Sequence, residues 1–151
     1  MSATTLSQIQ SDSVAIQKPR PKRYISLDMF YRHYNDREDG YKYEWNNGTV
    51  EKRPRMKQAE LHIYNNLLRL FMQTHAFQEG AMLAGEVETM TTAFQLRKPD
   101  IAFFTKKQIY EGREGVDFIP DFAIEVISNS DIMIDVENKL IEYFKAGVKV
   151  V

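Results

Sequence analysis

The sequence predicts an α/β (α+β) fold in which helices flank a mixed central sheet. Three observations support this class. Apolar residues recur at helical spacing between about residues 58 and 75, three strand-like segments follow between about 82 and 128, and a second helical pattern covers 134–147. The closing residues, 148–151, have the pattern of a further strand. This order of elements is typical of a sheet with helices packed on it.

Composition excludes several classes of protein. The chain has 151 residues, 43% of them hydrophobic and 12% aromatic, which indicates one globular domain. It has no cysteine, so disulfide frameworks, zinc-thiolate sites and thiol nucleophiles are excluded. No apolar run approaches the length of a membrane span or a signal core, so we expect a cytoplasmic protein. The net charge of −1 argues against a general nucleic-acid coat, but not against an enzyme with a local basic patch.

The first part of the chain divides into a tail and a helix-and-hairpin unit. Residues 1–23 are rich in Ser, Thr, Gln and Pro and end in a basic cluster, which predicts a disordered polar tail. Ser26 is placed to cap a short helix, and the turn residues 46–48, Asn-Asn-Gly, predict a β-hairpin. We expect 24–151 to form a single domain that stops within its last strand.

The middle of the chain contains the predicted sheet. We expect strands over about 82–92, 95–105 and 121–128, with the segment 106–120 as a loop between the last two. The third strand has apolar residues on both faces, which predicts a central strand covered on both sides.

Glu125 breaks the apolar pattern of that third strand. An isolated buried carboxylate is costly, so it needs a cation, a proton or a hydrogen-bond donor. The alternatives are a functional acid, a glutamate paired with a nearby arginine, and one at an exposed strand end.

Asp100 is a second acid of this kind, between Pro99 and the apolar run IAFF. On its own it could belong to an ordinary turn before a strand. Together with Glu125 on a neighbouring strand, it could hold a hard cation such as Mg²⁺, which prefers oxygen ligands.

Three further charged residues are candidates for the same site. Lys139 lies beside the apolar face of the last helix, where it could either pair with Asp135 or point at the carboxylates. Glu60 falls near the middle of the apolar arc of the 58–75 helix. Glu44, in the first hairpin strand, is either a further acid of the site or a solvent-facing residue.

Several segments together resemble the Uma2 family, also called DUF820, which is abundant in cyanobacteria. They are YEWNNGTVEKRP, the H-x-x-x-x-N-L-L helix, RKPDIAFF, PDFAIEVISNSD and D-x-x-x-KLIEYFKAGV, in that order. The family has the PD-(D/E)XK restriction-endonuclease-like fold. The resemblance covers roughly 24–151 and implies a core of helix, three strands, helix and strand.

The resemblance also implies roles for the candidate residues. Asp100 and Glu125 would be the two motif acids and metal ligands, with Glu60 or Glu44 as an additional acid. The position two residues after Glu125, where the fold normally has its lysine, is Ile127. Lys139 is therefore the candidate for a lysine that has moved to the following helix.

The sequence-based hypothesis is an endonuclease that uses Mg²⁺ (or Mn²⁺) to hydrolyse nucleic acid, with DNA as the expected substrate. The expected phosphate-contacting residues flank the acids in sequence and are Arg53, Arg55, Lys57, Arg97 and Lys98. A homodimer would suit an enzyme that cuts duplexes. The alternatives are a non-catalytic nuclease-fold module that binds nucleic acid or a protein partner, and a purely structural self-associating domain.

Overall fold

The computed structural model describes residues 24–128 and 131–151, so the predicted tail 1–23 lies outside the described residues. The helices are α1 (Leu27–Phe30, continued by a π-helical turn, Tyr31–Asn35), α2 (Leu61–Phe71, preceded by a 3₁₀ turn, Gln58–Glu60), α3 (His75–Gln78), α4 (Lys106–Gly112) and α5 (Met133–Ala146). The strands are β1 (Tyr41–Asn46), β2 (Thr49–Pro54), β3 (Met82–Ala84), β4 (Thr89–Thr92), β5 (Gln95–Arg97), β6 (Ile101–Phe104) and β7 (Phe122–Ile124). None of these helices has the length and apolar character needed to cross a membrane.

The predicted N-terminal unit is confirmed. Ser26 caps α1 by accepting a hydrogen bond from the Met29 backbone N–H. The β1–β2 hairpin turns through Asn47 and Gly48, whose φ angles are 48° and 77°. These left-handed conformations are those that an Asn-Gly turn supplies.

The strands form two antiparallel sheets with the orders β2-β1-β5-β4 and β3-β6-β7. Phe122 in β7 also makes a parallel bridge to Val150 near the end of the chain. Helices cover both faces of the second sheet. Residues of α2 pack with Ile101 and Ile124, whereas Tyr143 of α5 packs against Ala123, which points to the opposite face. The α+β class with helices flanking a sheet is confirmed.

Strand β1 connects the apolar core to the region of the candidate site. Tyr43 and Trp45 pack in a core cluster with Phe30 and Leu96. The alternate residues of the strand therefore point away from this cluster. They include Lys42, which is also buried although no apolar cluster receives it.

Four details differ from the sequence-based expectations. The predicted strand 82–92 is divided between β3 and β4, and the predicted strand 95–105 between β5 and β6, with each half in a different sheet. Pro99 falls between the halves of the second segment, where it cannot donate a ladder hydrogen bond. The predicted loop 106–120 contains α4, which Thr105 and Gln108 open with a capping box.

The fourth difference concerns the third strand. β7 is short and pairs with β6 on one side, while its other side has the bridge to Val150, so it is not the fully central strand expected. Glu125 follows directly after β7 instead of lying in the middle of a buried run. The predicted last helix is confirmed, and Gly147 ends it with a left-handed φ of 108°.

Candidate active site

Asp100 and Glu125 face each other across two neighbouring strands. Asp100 directly precedes β6, Glu125 directly follows β7, and Ile101 pairs with Ile124 in the antiparallel register. Continuing that register by one residue places the two acids opposite each other. The pairing of β6 with β7 therefore places the two acids at neighbouring strand ends, as the sequence predicted.

The Asp100 carboxylate is buried and has two different kinds of partner. Its Oδ1 lies 2.5 Å from Nζ of Lys42, and its Oδ2 accepts a 2.7 Å hydrogen bond from the Val126 backbone N–H. Val126 follows Glu125, so the turn out of β7 holds the Asp100 side chain in place. Both contacts hold the carboxylate in one orientation.

Glu125 is bound by two residues of α5. Its Oε1 lies 3.1 Å from Lys139 Nζ and accepts a 2.7 Å hydrogen bond from the Tyr143 hydroxyl. Burial raises the pKa of Glu125 above its ordinary value, although the charges of Lys139 and Lys42 act in the opposite direction. Burial and the negative charge of Glu125 also raise the pKa of Tyr143, so its hydroxyl stays protonated as a donor.

Lys139 joins the last helix to two strands. Its Nζ lies 3.0 Å from Glu44 Oε1 and 3.1 Å from Glu125 Oε1. The alternative partner considered from the sequence, Asp135, lies 3.6 Å from Arg53 instead. The amine of Lys139 is thus directed at the carboxylates.

Glu44 is fully buried, with 0% of its side chain exposed. Besides Lys139, its carboxylate accepts hydrogen bonds from Arg97 at 3.2 Å and from the Lys98 backbone N–H at 3.2 Å. Burial opposes its ionisation, but the charges of Lys139, Arg97 and Lys42 outweigh that effect and lower the pKa of Glu44. The Glu44 carboxylate is therefore closed to solvent and contacts the candidate site through Lys139.

Lys42 is the site residue that sequence reasoning missed. Only 5% of its side chain is exposed, and besides Asp100 it contacts the Lys98 backbone carbonyl at 2.9 Å. Burial opposes its charge, but Asp100, Glu125 and Glu44 outweigh this and raise the pKa of Lys42. The signal that could have found it is the period of two, because Lys42 and Glu44 lie on the same face of β1.

Arg97 and Lys98 are not placed as the phosphate contacts expected from the sequence. Arg97 is buried, and its guanidinium is enclosed by carboxylates, which are those of Glu44, Glu51 and Glu142. Those charges outweigh the cost of burial and raise its pKa further. The Lys98 amine is also buried and bonds to the Asn35 side-chain oxygen at 2.9 Å. Both side chains bond to other residues of the protein, because β5, which contains Arg97 and directly precedes Lys98, lies between β1 and β4.

A pocket of about 80 Å³ opens onto the acids. Asp100, Glu125, Lys42 and Lys139 line it, as do the predicted basic residues Arg53, Arg55 and Lys57. Glu60 also lines the pocket, and its carboxylate accepts a 2.7 Å hydrogen bond from the Lys57 backbone N–H. The pocket therefore brings together seven of the predicted site residues, Glu60 among them, and Lys42, which was not predicted.

The donor set suits a hard divalent cation with few protein ligands. Within 24–128 and 131–151, no group of three or more His, Asp or Glu side chains is arranged to hold a metal ion. Mg²⁺ is commonly held by one or two carboxylates together with water and substrate phosphate, and Asp100 and Glu125 supply two. In the structure each of these two carboxylates has an ammonium partner, Lys42 for Asp100 and Lys139 for Glu125.

Comparisons with known proteins agree with the resemblance found in the sequence. A search of curated proteins gave no match. The crystal structure of a "putative nuclease belonging to DUF820" from Anabaena variabilis ATCC 29413 is similar, with a TM-score of 0.63 and 21% sequence identity. The match covers 80% of this chain and 68% of that chain, and at this identity it shows the fold. The model of the Uma2 family, described as "Putative restriction endonuclease", matches residues 27–151. The chain therefore belongs to the Uma2 family.

Proposed function

We propose that this protein is a Mg²⁺-dependent endonuclease, able to use Mn²⁺ as well, that hydrolyses phosphodiester bonds in DNA. One observation carries the proposal. Asp100 and Glu125 face the same pocket. Lys139, on the adjacent helix, has its Nζ 3.1 Å from Glu125 Oε1. Two acids and a lysine in one cleft are the groups that metal-assisted phosphodiester hydrolysis requires.

Asp100 and Glu125 are the residues that would hold the metal ion. When bound, the ion supplies a Lewis acid for the scissile phosphate and makes water more acidic. The chain itself does the positioning. The Val126 N–H fixes the Asp100 carboxylate, and the Tyr143 hydroxyl fixes Glu125.

Lys139 would stabilise the negative charge that develops on the phosphate during attack by water. Its ammonium is fixed by Glu44 and Glu125, so little rearrangement is needed during the reaction. Glu60 would orient water at the side of the pocket formed by the start of α2.

The basic residues of the pocket would bind the DNA backbone. Arg55 and Lys57 are exposed, and Arg53 is half-buried between Glu51 and Asp135. Phosphate contacts of this kind give affinity and position without reading the base sequence. If the protein is a homodimer, two such pockets could act on the two strands of a duplex, which sedimentation with and without DNA would test.

The direct test is cleavage of supercoiled plasmid and labelled oligonucleotides with Mg²⁺, Mn²⁺ or EDTA. We expect cleavage with either metal, none with EDTA, and none by Asp100→Asn or Glu125→Gln. Glu114→Gln, which changes an exposed acid outside the pocket, serves as the matched control and should retain activity. Intact substrates with every metal, or equal cleavage by Asp100→Asn and the control, would contradict the proposal.

A non-catalytic module that binds nucleic acid is the second candidate. The pairing of Asp100 with Lys42 at 2.5 Å favours it, because a lysine already supplies a cation to that carboxylate. This candidate predicts DNA binding without cleavage, and binding that does not depend on divalent metal. Fluorescence anisotropy in EDTA, run beside the cleavage assay, separates the two functions.

A further inference from the structure

Lys42 places a positive charge at the carboxylate that the proposed metal would need. Its Nζ lies 2.5 Å from Asp100 Oδ1, and the side chain is buried at the wall of the pocket. The other oxygen of Asp100 is occupied by the Val126 N–H. Each oxygen of Asp100 therefore has one donor, and of these two donors only the Lys42 ammonium carries a positive charge that a metal ion would replace.

We infer that Lys42 is the resident cation of the metal-free site, and that a divalent metal binds by displacing the Lys42 ammonium from Asp100. This inference rests on the proposed function, because it concerns the same pair of acids. It assigns Lys42 as a positioning residue that sets metal affinity and keeps the Asp100 carboxylate oriented until a metal ion binds.

The network of contacts explains why Lys42, and not Lys139, would be displaced. Lys139 bonds to Glu44 as well as Glu125, and Glu44 does not reach the pocket. Lys139 would therefore still be paired with Glu44 if the Glu125 carboxylate bound a metal ion. Lys42 has one direct carboxylate partner, Asp100, and its second contact is the neutral carbonyl of Lys98.

Electrostatics makes the two occupants mutually exclusive. An ammonium and a divalent ion on the same carboxylate oxygen would repel each other strongly inside a poorly solvated site. The flexible four-carbon stem of lysine lets the ammonium move without unfolding the strand that carries it. After displacement, the Lys42 amine faces the pocket, where a substrate phosphate would be its next partner.

Metal affinity provides the first test. Isothermal titration of the full chain with Mg²⁺ and with Ca²⁺ would compare wild type, Lys42→Met and the control Lys145→Met. Lys145 is exposed on α5 and does not line the pocket. We expect Lys42→Met to bind about tenfold more tightly or better, whereas Lys145→Met stays within twofold of wild type. Equal affinity of wild type and Lys42→Met would overturn the inference.

The second test needs no variant and so does not depend on how Lys42→Met folds. Wild-type protein would be treated briefly with an acylating reagent, with and without saturating Ca²⁺, and modification of each lysine measured by mass spectrometry. We expect Lys42 to be protected without metal and several-fold more reactive with it. Lys139 should stay protected, and Lys145 should react equally in both samples. Unchanged protection of Lys42 at metal saturation would overturn the inference.

The outcomes separate this inference from the proposed function. If wild type binds metal and cleaves DNA while Lys42 stays protected, the inference that metal displaces Lys42 is wrong and the proposed nuclease function is supported. If metal makes Lys42 reactive but no substrate is cleaved, the displacement is supported and the nuclease function is contradicted. If neither wild type nor Lys42→Met binds metal, both are wrong.

Discussion

The Glu44 carboxylate and the Lys139 ammonium meet at 3.0 Å, which links the first strand of the hairpin to the last helix. The two residues are 95 positions apart in the sequence, and both are buried. Their pairing directs the lysine toward Glu125. The position of the proposed catalytic amine is therefore set by an acid that is closed to solvent.

Glu44→Gln should destabilise the protein strongly at neutral pH. The change removes one buried carboxylate from Lys139, which keeps Glu125, and one from Arg97, which keeps Glu142. Removing one partner of a buried ion pair typically costs about 3–5 kcal/mol. Because the pKa of Glu44 is lowered on folding, its contribution is present above the carboxyl's ordinary pKa and is lost as pH falls through the lowered one.

Urea denaturation of wild type and Glu44→Gln from neutral to acidic pH would measure this effect. The difference in free energy of unfolding should be greatest near neutrality and shrink at acidic pH. A difference that does not change with pH would mean that the Glu44 charge is not what stabilises the fold. Glu114→Gln should behave as wild type throughout.

Arg97→Met should weaken the fold through several elements at once. The guanidinium bonds to Glu142 at 2.6 Å, Glu51 at 2.9 Å and Glu44 at 3.2 Å, and so joins α5, β2 and β1 to β5. We expect a loss of several kcal/mol, on the order of that for other broken buried ion pairs. Thermal denaturation would measure it.

The double variant Arg97→Met/Glu142→Gln tests whether that loss comes from the pair itself. The combined loss should be smaller than the sum of the two single losses, since each single variant removes the same Arg97–Glu142 pair. Additive losses would contradict a direct coupling. Arg69→Gln, on the exposed surface of α2, should change stability by no more than about 0.5 kcal/mol.

Lys139→Met should separate chemistry from metal binding. We expect kcat for DNA cleavage to fall about a hundredfold or more, as when other preorganised donors to a developing anion are removed. Metal binding should persist, because Asp100 and Glu125 remain. Single-turnover cleavage and calorimetry on the same sample, after circular dichroism confirms folding, provide both readouts. Unchanged single-turnover rates would show that Lys139 does not contribute to the chemical step.

The double variant Arg55→Gln/Lys57→Gln should weaken DNA binding uniformly across sequences. Each lost phosphate contact reduces the slope of log affinity against log salt concentration by about 0.9, so the slope should fall by about 1–2. Fluorescence anisotropy of several duplexes in Ca²⁺ would measure the slopes. Arg69→Gln, with its arginine outside the pocket, is the control and should leave the slope unchanged.

Local signals in the sequence were sufficient for most of the fold. The cap at Ser26, the Asn-Gly turn, α2 and α5 with Gly147 all formed where the pattern indicated, because caps, positive φ angles and helical spacing act over a few residues. The division of 82–92 and 95–105 between two sheets was not predictable in the same way. Strand pairing depends on partners distant in sequence, and a continuous apolar pattern does not show where a strand leaves one sheet for another.

The sequence also indicated the acids of the candidate site before the structure located them. Glu125 was visible because it interrupts an apolar run that otherwise predicts burial, and Asp100 because it lies between Pro99 and the start of another apolar run. Arg97 gave no such signal, and residue type alone suggested phosphate contact. Its role in the interior follows from three carboxylates brought to it by three other elements.

Periodicity and local chemistry in the sequence were enough to predict the class of fold and to single out the unusual carboxylates, and the order of its motifs showed the resemblance to the family. The pairing of each cation with its carboxylate could be seen only in the folded structure. The fold paired Lys139 with Glu44 and Glu125 instead of Asp135, and it placed Lys42 on Asp100. A buried charge needs an opposite charge beside it, and the fold brings that residue from a distant segment. The separation of the two residues along the chain is therefore not fixed.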